Sequence, residues 1–203
     1  MNYYDRVRRY LGIPLRGDFV SPQPLPDSID KVIFCPESSE LRRSLSIENK
    51  SRLLHEIRRR WPGVKVTVAA KDGRYLRGDD EVVAIPLGKS RKDSLRFVKA
   101  IKDSDLVISV DAGPLHIAAA LNVFVLGVFS SAHPLTVINF KTRAAVLRSG
   151  LLNNAYCELE KCTKPRCMDG LSLDQVILKF DAKAVRRVAY DHCPAGYSDS
   201  EVL

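Results

Sequence analysis

An α/β fold, with a Rossmann-like open parallel sheet and helices on both faces, is predicted by three observations. Short apolar runs rich in β-branched residues recur along the chain, stretches with helical spacing separate them, and polar turns follow the strands. The order of these elements, αβαβ(β)αβαβ, is that of a parallel sheet built from right-handed crossovers.

At the N-terminal end, Tyr3 to Leu11 has helical spacing, with Tyr3, Val7, Tyr10 and Leu11 apolar and arginines between them. Pro22, Pro24 and Pro26 remove backbone donors and favour an extended course, so Phe19 to Asp30 is expected to lie outside the central sheet. Lys31 to Cys35 reads as the first core strand and Pro36 to Ser44 as a polar turn. Ser46, with Glu48 and Asn49 behind it, starts a helix that runs to about Arg60 and ends at Trp61-Pro62-Gly63. Val64 to Ala69 is the second strand, Lys71 to Asp80 a loop rich in glycine and charge, and Glu81 to Ile85 a short strand.

Ser94 to Lys102 is expected to be a helix placing Leu95, Val98 and Ile101 inward. Asp105 to Val110 and Val123 to Phe129 are strands, and Ala144 to Leu147 a last short one. Ser172, with Asp174 and Gln175, is expected to begin a helix reaching Lys179, and Ala182 to Tyr190 a further helix packing back across the domain. The expected organisation is an N-terminal helix and linker over residues 1–30, one domain over 31–190 and a polar tail over 191–203.

Residues 104 to 127 are the most informative run, because a buried strand, a polar turn and a helix start follow one another without interruption. Asp111, Ala112 and Gly113 turn the chain at the carboxyl end of the strand, Pro114 suits a first helical position, and the Ala-rich stretch to Leu121 lets the helix lie close to the sheet. Such a helix start favours a phosphate or diphosphate through backbone donors and the macrodipole, and His116 in its first turn is a further candidate donor. The ordinary alternative is a plain βα unit with Asp111 as N-cap and His116 at the surface.

The run Asp-Ala-Gly-Pro-Leu-His-Ile-Ala-Ala-Ala-Leu, Asp111 to Leu121, resembles the Asp-[Ser/Thr]-Gly-x-x-His-x-Ala-Ala-Ala motif of glycosyltransferase family 9, the ADP-heptose heptosyltransferases and their relatives. The resemblance implies the C-terminal, donor-binding half of a GT-B fold, with Asp111, Ala112, Gly113 and His116 at a nucleotide diphosphate. Ala112 stands where the family has Ser or Thr, so a hydroxyl contact is lost while the backbone remains.

By the same resemblance, Arg42 or Arg43, with Arg43 favoured, lies near the donor phosphates, and Asp72 is the nearest candidate for the ribose hydroxyls. Lys71 is an alternative phosphate ligand, and Ser131 and His133 lie at the neighbouring strand end, within reach of a sugar or a second phosphate. For Arg42, Arg43, Asp72, Ser131 and His133 the alternative is an ordinary polar loop. The family's general base has no counterpart here, which implies an acceptor domain from another chain, a homo-oligomer that closes the cleft, or lost catalysis.

With 203 residues the chain has room for one domain and an appendage. A net charge of +8 points to phosphorylated or polyanionic partners, although Arg6 to Arg9, Arg42 to Arg43, Arg58 to Arg60 and Lys89 to Lys92 also read as solvated faces. No stretch is apolar enough to span a bilayer, and the charged N-terminus is unlike a signal peptide, so a cytoplasmic location is expected.

Cys157, Cys162 and Cys167, with Cys193 or His192, are a conceivable zinc set at wide spacing. The resemblance instead reads Cys167-Met168 as the end of a family Cys-rich loop. The leading functional expectation is a glycosyltransferase-like protein that binds an ADP-sugar or UDP-sugar and needs no further cofactor. Two alternatives stay open: a non-catalytic binding or assembly subunit with a basic surface for protein or nucleic acid, and a glycosyltransferase acting on modified DNA bases.

Overall fold

The structure is a computed structural model that describes residues 23–69, 83–84, 91–138, 143–148, 155–157, 166–177 and 186–188. The elements expected at Tyr3 to Leu11 and in the tail from Asp191 lie outside the described residues.

Among the described residues seven strands form the main sheet: β1 Lys31–Cys35, β2 Lys65–Val68, β3 Val83–Ala84, β4 Leu106–Val110, β5 Phe124–Phe129, β6 Ala144–Arg148 and β8 Val176–Ile177. Their order is β3-β2-β1-β4-β5-β6-β8, with β7 Ala155–Cys157 and β9 Arg186–Val188 paired in parallel as a separate ribbon. The chain builds outward from β1 in one direction, then returns to β4 on its other side. This places the reversal point of a doubly wound sheet between β1 and β4.

Alternation along the strands divides the core into two layers. Val32 and Phe34 of β1, with Leu106, Ile108 and Val110 of β4, pack with Leu53, Leu54 and Ile57 of helix α1, Ile47–Arg60. Ile33, Cys35 and Val107 face the opposite way, onto Phe97 and Ile101 of helix α2, Arg91–Lys102, and Leu115 and Ala118 of helix α3, Gly113–Ala120. Helices therefore cover both faces, as expected.

Local signals account for several boundaries. Ser46 caps α1 by accepting from the Asn49 backbone N–H at 3.2 Å, and Gly63 takes φ +81° where the chain turns towards β2. The linker is tied to the domain, with the Trp61 indole donating to the Pro26 carbonyl at 3.1 Å and the Gln23 N–H to the Ala144 carbonyl at 2.7 Å. Asp105 begins the central pairing by accepting the Asp30 and Lys31 N–H groups at 3.1 and 2.9 Å.

The structure corrects several expectations. The sheet is parallel except at its edge, where β8 runs antiparallel to β6 through Val146↔Ile177 and Leu147↔Val176. The capping box at Ser172 forms, but it opens only a 3-10 turn, Leu173–Gln175. Pairing with β6 then draws Val176 and Ile177 into the sheet in place of the expected helix. Within the segment expected as a helix from Ala182, Arg186–Val188 is strand, paired to β7.

In α2 Ile101 is buried as expected and Val98 is half-buried, but Phe97, four residues before Ile101, takes the inward place expected of Leu95, which is 59% exposed. Residues 130–133 form the polar turn after β5, and a short helix, α4, Pro134–Val137, follows it.

Gly127 lies in the middle of β5, paired with Ser109 on one side and Val146 on the other. A Cβ there would lie 2.6 Å from Phe129 Cε2 and 3.2 Å from Leu115 Cδ1, both on fully packed side chains. Gly127→Ala is expected to destabilise the domain by about 1–3 kcal/mol through overpacking, read as a lower urea midpoint; an unchanged midpoint would show that Phe129 and Leu115 leave room for a methyl group.

Candidate functional site

Because β1 and β4 are parallel neighbours, the segments leaving their carboxyl ends begin side by side. The first runs from Pro36 and includes a 3-10 turn, Leu41–Arg43, that ties Arg43 N–H to the Glu40 carbonyl at 3.1 Å and Ser44 N–H to the Leu41 carbonyl at 3.0 Å. Leu45 N–H returns to the Pro36 carbonyl at 2.9 Å and closes the loop. The second is Asp111 to Gly113 at the start of α3.

Arg43 joins the two segments. Its Nη1 lies 3.3 Å from Asp111 Oδ2, while its Nη2 donates to Glu40 Oε1. Arg42 donates from Nε to the other oxygen of Glu40, Oε2, at 2.8 Å. These hydrogen bonds, that from Arg42 foremost, and the two positive charges hold the Glu40 carboxyl below the usual carboxylate range. Asp111 is buried, and Arg43 covers it.

Asp111 is therefore not the N-cap of α3. Ala112 occupies that position, with no side-chain cap, because the Asp111 carboxylate is turned to Arg43. Fewer backbone donors are presented than the motif suggests: Pro114 has no N–H, and Leu115 N–H returns to the Ala112 carbonyl at 3.1 Å. Gly113 is exposed, and a Cβ built on it meets no atom within 4 Å, so the backbone is open to approach there. His116 is half-buried one turn further on.

The end of β5 adds a third segment. Ser130 Oγ donates to the Arg42 carbonyl at 2.7 Å, fixing the arginine turn against the β5 end. Arg148, at the end of β6 and 1% exposed, donates from Nη2 to the Ser130 carbonyl at 3.3 Å. Ser131 and His133 are both buried beside it, so neither presents an open polar surface.

Behind the loop, Lys50 of α1 donates to Glu37 Oε1 at 2.6 Å, an ion pair with both side chains 9% exposed. Thus Arg42, Arg43, Asp111, Ala112 and Gly113 come together at one sheet edge, while Lys71 and Asp72 lie outside the described residues.

Glu40, Ser130, Arg148 and the Glu37–Lys50 pair were missed in the sequence. For Glu40 there was a signal, an acidic residue three positions before an arginine, the spacing of a helical ion pair. No local spacing connects Ser130 to Arg42 or Lys50 to Glu37, because tertiary packing makes those contacts. Cys167 is buried in the core near Met168 and Leu171. Cys162, His192 and Cys193 lie outside the described residues, and among the described residues no group of three or more metal-ligating side chains occurs. No helix among the described residues is long and apolar enough to cross a membrane.

Two consequences of burial are measurable. Lys50→Met leaves the Glu37 carboxylate buried without its cation and is expected to cost about 3 kcal/mol in urea unfolding, part of which Glu37→Gln in the same chain restores. For His133, burial, joined by the charge of Arg148, pushes the imidazole from 6.5 down to about 4. The unfolded chain therefore takes up a proton that the folded protein refuses between those values, so stability is highest above about pH 6.5 and falls as the pH drops towards 4. Between about pH 7.5 and pH 5 the loss of unfolding free energy is expected to be about 2 kcal/mol smaller in His133→Gln than in the parent; an identical loss would mean that His133 titrates normally.

Comparison with known proteins bears on the fold that carries these residues. Residues 92–167 match the sequence model of glycosyltransferase family 9 (heptosyltransferase), a span that contains all but the first residue of α2, then β4, the Asp111 turn and β5. No curated protein is significantly similar to the chain in sequence. Among solved structures, ADP-heptose lipopolysaccharide heptosyltransferase II of E. coli superposes with a TM-score of 0.54 at 14% identity, covering 84% of this chain and 47% of that one.

The family 9 glycosyltransferase of Veillonella parvula gives a TM-score of 0.49 at 18% identity, covering 61% of this chain and 36% of that one. The chain thus spans about half the length of the E. coli enzyme. It resembles glycosyltransferase family 9, the heptosyltransferases, by sequence across the β4–α3 motif and by fold over that length.

Proposed function

We propose that the chain binds the diphosphate of a nucleotide-sugar donor at the carboxyl edge of the sheet, between β1 and β4, as the donor half of a sugar-transferring enzyme. The observation that carries this reading is the convergence of Arg43 and the Asp111–Gly113 turn at the reversal point of the sheet, with Arg43 only 3.3 Å from Asp111. A guanidinium fork there suits a diphosphate and the charge that develops on it as the nucleotide leaves. The exposed Gly113 lets a phosphate oxygen approach the backbone at the start of α3, where the helix dipole favours negative charge.

In this reading Asp111 holds Arg43 in place and does not itself face the phosphates, and His116 lies one turn along the same helix. Transfer of the sugar also requires a base on the acceptor hydroxyl and exclusion of water, roles that this reading places outside the donor half. ADP is the first nucleotide to test, since the E. coli heptosyltransferase II is named for ADP-heptose. UDP is the second.

Isothermal titration is expected to show binding of ADP or UDP, weakened about tenfold or more by Arg43→Ala, and weakened also by His116→Ala. Absence of binding by either nucleotide at millimolar concentration would overturn the proposal. An unchanged affinity in His116→Ala would remove that residue from the site.

A further inference from the structure

We propose that Glu40 is a specificity-determining residue of this site: seated on Arg42 and Arg43, it disfavours a free nucleoside diphosphate relative to the corresponding nucleotide sugar. The inference rests on the donor-site reading above.

The geometry is that of a bridging anion. One oxygen of Glu40 accepts from Arg42 Nε at 2.8 Å and the other from Arg43 Nη2, so one carboxylate holds two guanidinium groups with its two oxygens. A phosphate group would use two of its own oxygens on the same donors. With Asp111 on the remaining Arg43 Nη1, the four residues carry two positive and two negative charges, which cancel. The two carboxylates are not equivalent. The Asp111 side chain is 9% exposed and faces the domain, whereas that of Glu40 is 41% exposed, so an arriving anion displaces Glu40 and leaves Asp111 in place.

Displacing Glu40 costs the same whichever ligand does it, and that common cost alone weakens all anions equally. Discrimination comes from the charge that remains nearby, because the displaced carboxylate stays tethered to the same turn. A free nucleoside diphosphate ends in a phosphate whose second ionisation lies near pH 6, and esterification to a sugar removes that ionisation. The free diphosphate therefore brings one more negative charge close to Glu40, and repulsion acts on that difference. The consequence for a transferase is direct: the donor is retained in preference to the nucleotide released from it.

The test is titration of the full chain, as the parent and as Glu40→Gln, with ADP and ADP-glucose and with UDP and UDP-glucose. The Glu40 side chain makes no cap bond to its 3-10 turn, so the substitution leaves the turn's backbone hydrogen bonds in place. Glu40→Ala is the second variant, since it cannot replace the lost contacts with an amide.

Both variants are expected to tighten binding of both ligands, and to favour the free diphosphate over its sugar ester by about fivefold relative to the parent. If the parent binds and neither affinity changes, Glu40 does not contest the site and the inference fails. If both ligands tighten equally, Glu40 competes without discriminating, and the selectivity claim fails. If neither the parent nor the variants bind any of the four ligands, the donor-site reading itself is overturned and this inference with it.

Discussion

Parallel pairing of β1 with β4 is the constraint on which the remaining structure depends. The chain lays down β1, β2 and β3 in one direction and then crosses back to place β4 against the opposite side of β1. Hydrogen-bonded strands lie about 4.8 Å apart, so the segments leaving their carboxyl ends cannot avoid one another. One carries two arginines and the other the turn into α3, and their meeting at the Arg43–Asp111 contact follows from strand order. The same pairing fixes the two core layers, because the alternating residues of β1 and β4 dictate which helix each face receives.

Around that centre the polar groups form a connected support. Ser130 holds the arginine turn from the β5 end, Arg148 holds the Ser130 segment from β6, and Lys50 engages Glu37 from α1. The loop after β1 is thus held directly from two sides, by Ser130 and Lys50, with Arg148 bracing Ser130, a degree of order suited to positioning guanidinium groups. The charges at its surface are balanced within the protein, so any anion arriving there would have to exchange with Glu40 or Asp111 for the guanidinium groups.

The central strands were legible because they are buried on both faces, which makes each a continuous apolar run; β1 matches its expected bounds and β4, β5 and β6 differ only at an end residue. The C-terminal elements were not. Ser172 forms the capping box that its sequence suggests, yet Val176 and Ile177 leave the helix because the open edge of β6 offers two residues a ladder. For a related reason Leu95 faces out: in α2 several apolar positions compete for the inward face, and contact with α3 and the sheet selects Phe97 beside the expected Ile101.

The candidate site divides along the same line. Asp111, Gly113 and Pro114 are consecutive, so a strand end, a turn and a helix start could be recognised from local chemistry, together with the resemblance of that run to a family. The job of each side chain could not. Whether Asp111 caps α3 or holds Arg43, and whether the two arginines stand open or already grip Glu40, depends on contacts made across the sheet edge by residues as far apart as 43 and 111. Local sequence sets which backbone conformations are affordable at each position. Only the order in which strands pair decides which charged groups become neighbours, because that order is settled by burial of the whole sheet.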